Sequence, residues 1–99
     1  MAIIFEIGLT DLSSMERKML FDEDGLRAFA EQLKKIRKEK GVTQEELAYK
    51  SGVTLSQIAR IETVKRNVSL STAFAIARAL NIPLRELFDF ELSFKQKAG

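Results

Sequence analysis

The chain has 99 residues, 45% of them hydrophobic, a formal net charge of +2, and neither cysteine nor histidine. That length fits one domain with a small core. The missing Cys and His exclude disulfides, thiol nucleophiles and the usual zinc sites, and no cofactor is expected.

The absence of Cys suits a cytoplasmic protein. Ala2–Phe5 is apolar but meets Glu6 at once and has no basic leader, so a signal peptide is not expected. No apolar run approaches membrane-spanning length, and no small-molecule pocket is evident. The charge is unevenly spread. Residues 1–24 carry net −4, residues 25–80 net +6, and residues 81–99 balance. A basic centre is what a nucleic-acid contact surface needs, although a solvated helix face gives the same count.

In chain order, residues 1–24 read as an N-terminal extension. Ile3, Phe5, Ile7 and Leu9 alternate onto one face, a strand signal. Ser13 or Ser14 can cap a short helix through Leu20. Asp22-Glu23-Asp24-Gly25 is an acidic break before the main domain, residues 25–89. A long helix is expected from Leu26 to Lys40, with Leu26, Phe29, Ala30, Leu33 and Ile36 as its buried stripe and Gly41 as its stop.

Thr43 begins the central stretch, with Glu46 placed to complete a capping box and Val42 to staple onto Leu47. The pattern repeats at Thr54 and Gln57, with Gly52 stopping the first helix in a left-handed turn. Ala48, Gly52 and Ile58 occupy the three demanding positions of a helix-turn-helix, and Val53 and Ile58 wedge the pair. In such a unit the second helix enters the DNA major groove and the first crosses the backbone.

A basic loop, Thr63–Val68, follows. Ser69 or Ser71 caps a fourth helix with Leu70, Phe74, Ala77 and Leu80 inward, and Asn81 stops it. Pro83 opens a fifth, short helix whose Leu84, Leu87 and Phe88 close the core. Tyr49 reads as partly buried. In the tail, residues 90–99, Phe90, Leu92 and Phe94 alternate as a second strand. The terminal strands are expected to pair within one chain or between two; pairing across a two-fold axis would make a homodimer.

Residues 33–88, LKKIRKEKGVTQEELAYKSGVTLSQIARIE followed by KRNVSLSTAFAIARALNIPLRELF, resemble the phage-repressor and Cro type of helix-turn-helix domain, often called Xre-like. The resemblance implies a mainly α, five-helix fold and sequence-specific binding of double-stranded DNA as a dimer on a palindromic operator. It places Gln44 on a phosphate, Thr54, Leu55, Ser56 and Gln57 toward bases and backbone, and Arg60 on the same groove-facing side. It also pairs Arg37 with Glu62 in a structural role. Thr63, Lys65, Arg66 and Asn67 are the remaining phosphate candidates. The family commonly has Gly where this chain has Val64 and Pro where it has Val68. A β-branched residue resists the left-handed backbone, so the loop after the reading helix is expected to take a different path.

The chemistry of these side chains agrees with their placement. The Arg60 fork can bond guanine O6 and N7 together, whereas Leu55 can offer only apolar contact to a thymine methyl. Lys65 and Arg66 add sequence-independent attraction. No motif gathers a nucleophile with a base, so an enzyme is not expected. The main rival is an antitoxin or protein-interaction module that uses the same fold without reading sequence.

Overall fold

The computed structural model describes residues 20–92. Five helices follow one another: α1 (Glu23–Glu39), α2 (Gln44–Ser51), α3 (Leu55–Glu62), α4 (Leu70–Leu80) and α5 (Leu84–Leu87). This is the expected five-helix architecture. Among the described residues there is no strand, and Phe90–Leu92 leave α5 as irregular chain. The strand expected over Ile3–Leu9, the short helix before Leu20 and the remainder of the tail lie outside the described residues.

The first helix starts at Glu23, three residues earlier than its apolar stripe indicates, because Asp22 acts as its cap and accepts from the Gly25 N–H at 3.0 Å. The acidic break is therefore the first turn itself, with Glu23 and Asp24 facing the positive end of the helix dipole. Thr43 and Glu46 form the full capping box. Thr54 Oγ1 accepts from the Gln57 N–H at 3.1 Å, but the return bond from Gln57 is not made, leaving that side chain without a capping duty. Ser69, not Ser71, caps α4.

The helix ends follow one rule. At each of the first four stops a residue turns left-handed: Gly41, Gly52, Val64 and Asn81, with φ of 67°, 78°, 59° and 56°. After α3, the Val64 N–H bonds the Ile61 carbonyl at 3.2 Å and the Lys65 N–H bonds the Arg60 carbonyl at 2.8 Å. That pair of bonds is a Schellman stop. The expected detour of the loop is thus overturned. The two closing bonds hold Val64 in the conformation that Gly would take freely, at a cost of about 1–2 kcal/mol.

The core joins Phe29, Leu33 and Ile36 of α1, Leu47 of α2, Ile58 and Ile61 of α3, Ala73, Ile76, Ala77 and Leu80 of α4, and Leu87 of α5. Leu33, Leu47, Ile58, Ile76 and Leu87 are the largest fully buried side chains, and burying each contributes about 1.5–3 kcal/mol. Val53 is buried in the turn between α2 and α3, and Ala48 packs at the edge of the core. The small Ala48 side chain leaves room for the two helices to approach closely.

Four side chains differ from expectation. The buried face of α4 is turned toward Ala73 and Ile76, which leaves Leu70 67% and Phe74 38% exposed. The small Ala73 lets α4 approach closely, and the larger residues go to the margins. Phe88 is 39% exposed and Tyr49 90% exposed. Tyr49 lies one helical step of about 100° beyond Ala48, which turns it off the packed side of α2.

Candidate nucleic-acid interface

The geometry of α3 follows from which of its residues the core claims. Ile58, Ile61 and Glu62 are buried. At about 100° per residue, Ser56, Arg60 and Thr63 fall on the opposite side of the helix axis, and all three are exposed. Thr54 and Leu55 are exposed at its N-terminal end, Leu55 to 43%, and Gln57 is half-buried. Among the described residues Arg60 makes no ion pair and no side-chain hydrogen bond. Within those residues its guanidinium keeps all its donors free.

The loop after α3 adds exposed Lys65, Arg66 and Asn67 beside this face. Its path is fixed by the Schellman bonds and by Thr63 Oγ1, which donates to the Ala59 carbonyl at 2.9 Å. The Thr63 hydroxyl proton is thus engaged, although its oxygen can still accept. Asn67 Nδ2 donates to the Leu20 carbonyl at 3.0 Å. That partner has no signal in the sequence, because 47 residues separate the two.

A buried polar cluster holds α3 in place. Glu62 is 4% exposed. One carboxylate oxygen accepts from Arg37 Nε at 2.7 Å, and the other accepts from Arg37 Nη2 at 2.9 Å and from Gln44 Nε2 at 2.8 Å. Arg37 Nη1 also donates to the Val42 carbonyl at 2.9 Å. The hydrogen bond to Glu62 raises the Arg37 pKa further above its already high ordinary value, while partial burial opposes the rise. Arg37 is therefore charged at every usable pH, and any contribution it makes is complete below its unfolded pKa.

The cluster ties the end of α1, the start of α2 and the end of α3 into one rigid unit. The Arg37–Glu62 pair is the one expected from the sequence. The participation of Gln44 is not, and it leaves only one N–H of that amide for an outside ligand.

A buried helix pair with a tight left-handed turn, an outward polar face on the second helix and a basic loop at its end together define a helix-turn-helix protein. The helix-turn-helix family HTH_3 matches residues 33–87, more than half of the chain, and the protein belongs to that family. The membership also bears out the reading that the chain is not an enzyme.

Among similar proteins, an uncharacterized HTH-type transcriptional regulator of Archaeoglobus fulgidus is 42% identical over 59 residues, which cover 60% of this chain and 84% of that protein. The crystal structure of the restriction-modification controller protein C.AhdI from Aeromonas hydrophila superposes with a TM-score of 0.62 at 43% identity, covering 64% of this chain and 96% of that one. A variant of the controller C.Esp1396I bound to its highest-affinity operator site superposes with a TM-score of 0.64 at 35% identity, covering 69% and 90%. Among the described residues no helix is long and apolar enough to cross a membrane.

Proposed function

We propose that this protein is a sequence-specific regulator of transcription that binds double-stranded DNA, acting as a dimer on a palindromic operator. The observation that carries the reading is the outward side of α3. Ser56 and Arg60 stand exposed there, Arg60 has no internal partner among the described residues, and exposed Lys65 and Arg66 follow at the helix end. An operator-bound relative of the same fold supports it.

In this reading phosphate contacts seat the unit and base contacts specify the sequence. Lys65 and Arg66 approach the backbone, joined by the remaining N–H of Gln44 and of Asn67, and by Thr63 once its hydroxyl turns away from the Ala59 carbonyl. Each neutralised phosphate releases counterions and steepens the salt dependence. Arg60 reads guanine bidentately, a contact worth about 1–3 kcal/mol of discrimination. Leu55 covers a thymine methyl, and Thr54, Ser56 and Gln57 bond bases or backbone according to register. Gln57 is available because the cap does not use its side chain. Two copies would set two α3 helices about one turn of DNA apart, roughly 34 Å. Half-exposed Phe74 beside Ile82 and Leu84 offers an apolar patch for the second copy.

Selection from a random duplex library tests the proposal. Enrichment of a palindrome bound by two chains is the expected result. Recovery of no preferred sequence would return the fold to a protein-interaction role.

A further inference from the structure

A wide apolar groove runs between the start of α1, the start of α4 and the chain beyond α5. Its volume is about 460 Å³, and its walls include Leu20, Phe29, Leu70, Phe88, Phe90 and Leu92. Leu20, Leu70 and Leu92 are 86%, 67% and 47% exposed along it. A continuous apolar surface of this kind marks a place where something packs.

The chain itself indicates what packs there. Leu20 and Leu92, the two limits of the described residues, both stand in the groove wall. Residues 1–19 therefore enter at one lip of the groove. That lip is pinned, because the Leu20 carbonyl accepts from Asn67 Nδ2 at 3.0 Å. The entering segment carries the most apolar alternation in the sequence, Ile3, Phe5, Ile7 and Leu9 on one face.

We propose that residues 3–9 close the groove of their own chain, with that face laid against Leu70, Phe88 and Leu92. The dimensions allow it. Ten residues lie between Leu9 and Leu20 and can span up to about 36 Å, ample for the chain to turn back across the groove. The volume is roughly three times that of a cavity that accepts benzene, so it takes about three apolar side chains, close to what one face of the segment presents. Asn67 sits in the same loop as Lys65 and Arg66, so the seated segment also steadies the basic loop. The inference does not depend on DNA binding.

The 99-residue chain has no native cysteine, which makes single introduced thiols unambiguous reporters. Leu70→Cys is to be labelled with a maleimide, alone and together with Phe5→Asp and Ile7→Asp. A seated segment slows labelling about tenfold relative to the doubly charged variant, as a cover open for about a tenth of the time would. Equal rates overturn the proposal. A second variant, Ile7→Cys with Leu70→Cys, is treated with a short bismaleimide beside a control that pairs Ile7→Cys with Glu45→Cys on α2. Linkage at the mass of one chain, in excess of the control, is expected. Linkage at the mass of two chains assigns the groove to a second copy, and linkage no better than the control leaves the segment elsewhere; either overturns the proposal.

Discussion

Truncating Glu62 to Ala should destabilise this domain more than the loss of any single core methyl. The reasoning starts from burial. Glu62 is 4% exposed and accepts three hydrogen bonds, two from Arg37 and one from Gln44. Arg37 shows only 11% of its side chain to solvent. Removing the carboxylate leaves a guanidinium in a poorly hydrated site without its counter-charge, which costs about 3–5 kcal/mol. The whole domain is stable by only about 5–10 kcal/mol, so Glu62→Ala removes around half of it and lowers the melting temperature by more than about 12 °C. Urea unfolding followed by far-ultraviolet circular dichroism reads the change.

The companion variant Arg37→Met with Glu62→Leu removes both charges and keeps the volume. It should recover most of the loss, short of about 1 kcal/mol for each orphaned bond to the Val42 carbonyl and the Gln44 amide. A cost below about 1 kcal/mol for Glu62→Ala would mean that the pair behaves as a solvated surface pair, and the rigid three-helix link would be wrong.

Two further substitutions test the helix stops. Val64→Gly should stabilise the fold by about 1 kcal/mol, since it relieves a left-handed β-branched residue; unchanged or lower stability in the same urea assay would show that the Val64 side chain contributes more than its strain costs. Gly52→Ala should cost about 1–2 kcal/mol by strain alone, because a Cβ there meets nothing within 4 Å and only the φ of 78° opposes it. A larger loss would point to crowding that the turn does not show.

Much of the fold was legible because the helix boundaries are written in short local codes. Thr43 with Glu46, Thr54, Ser69 and Asn81 all do what their side-chain chemistry suggests. The inner face of α4 was less legible. Small Ala73 and bulky Phe74 compete for the core, and the approach of the helices, not hydropathy, decides between them. Val64 misled for a related reason. Its intrinsic preference is real, but the Ile61 and Arg60 carbonyls need their partners at that helix end, and satisfying them outweighs the strain of one residue. At the site, the outward side of α3 could be read from period alone. The second partners of Gln44 and Asn67 could not, because both depend on where distant helices come to rest.

The proposed reading face is tested most directly by measuring binding of one selected operator and its single-base variants at fixed salt with Arg60→Ala and Lys65→Ala in parallel. The two substitutions remove the same charge from neighbouring exposed positions, so net charge cannot separate them. Arg60→Ala should abolish preference at one base pair per half-site, a loss of about 1–3 kcal/mol of discrimination. Lys65→Ala should weaken all sequences alike and reduce the salt slope by about 1. Equal, sequence-independent losses for both would show that α3 lies against the phosphates and does not read the bases.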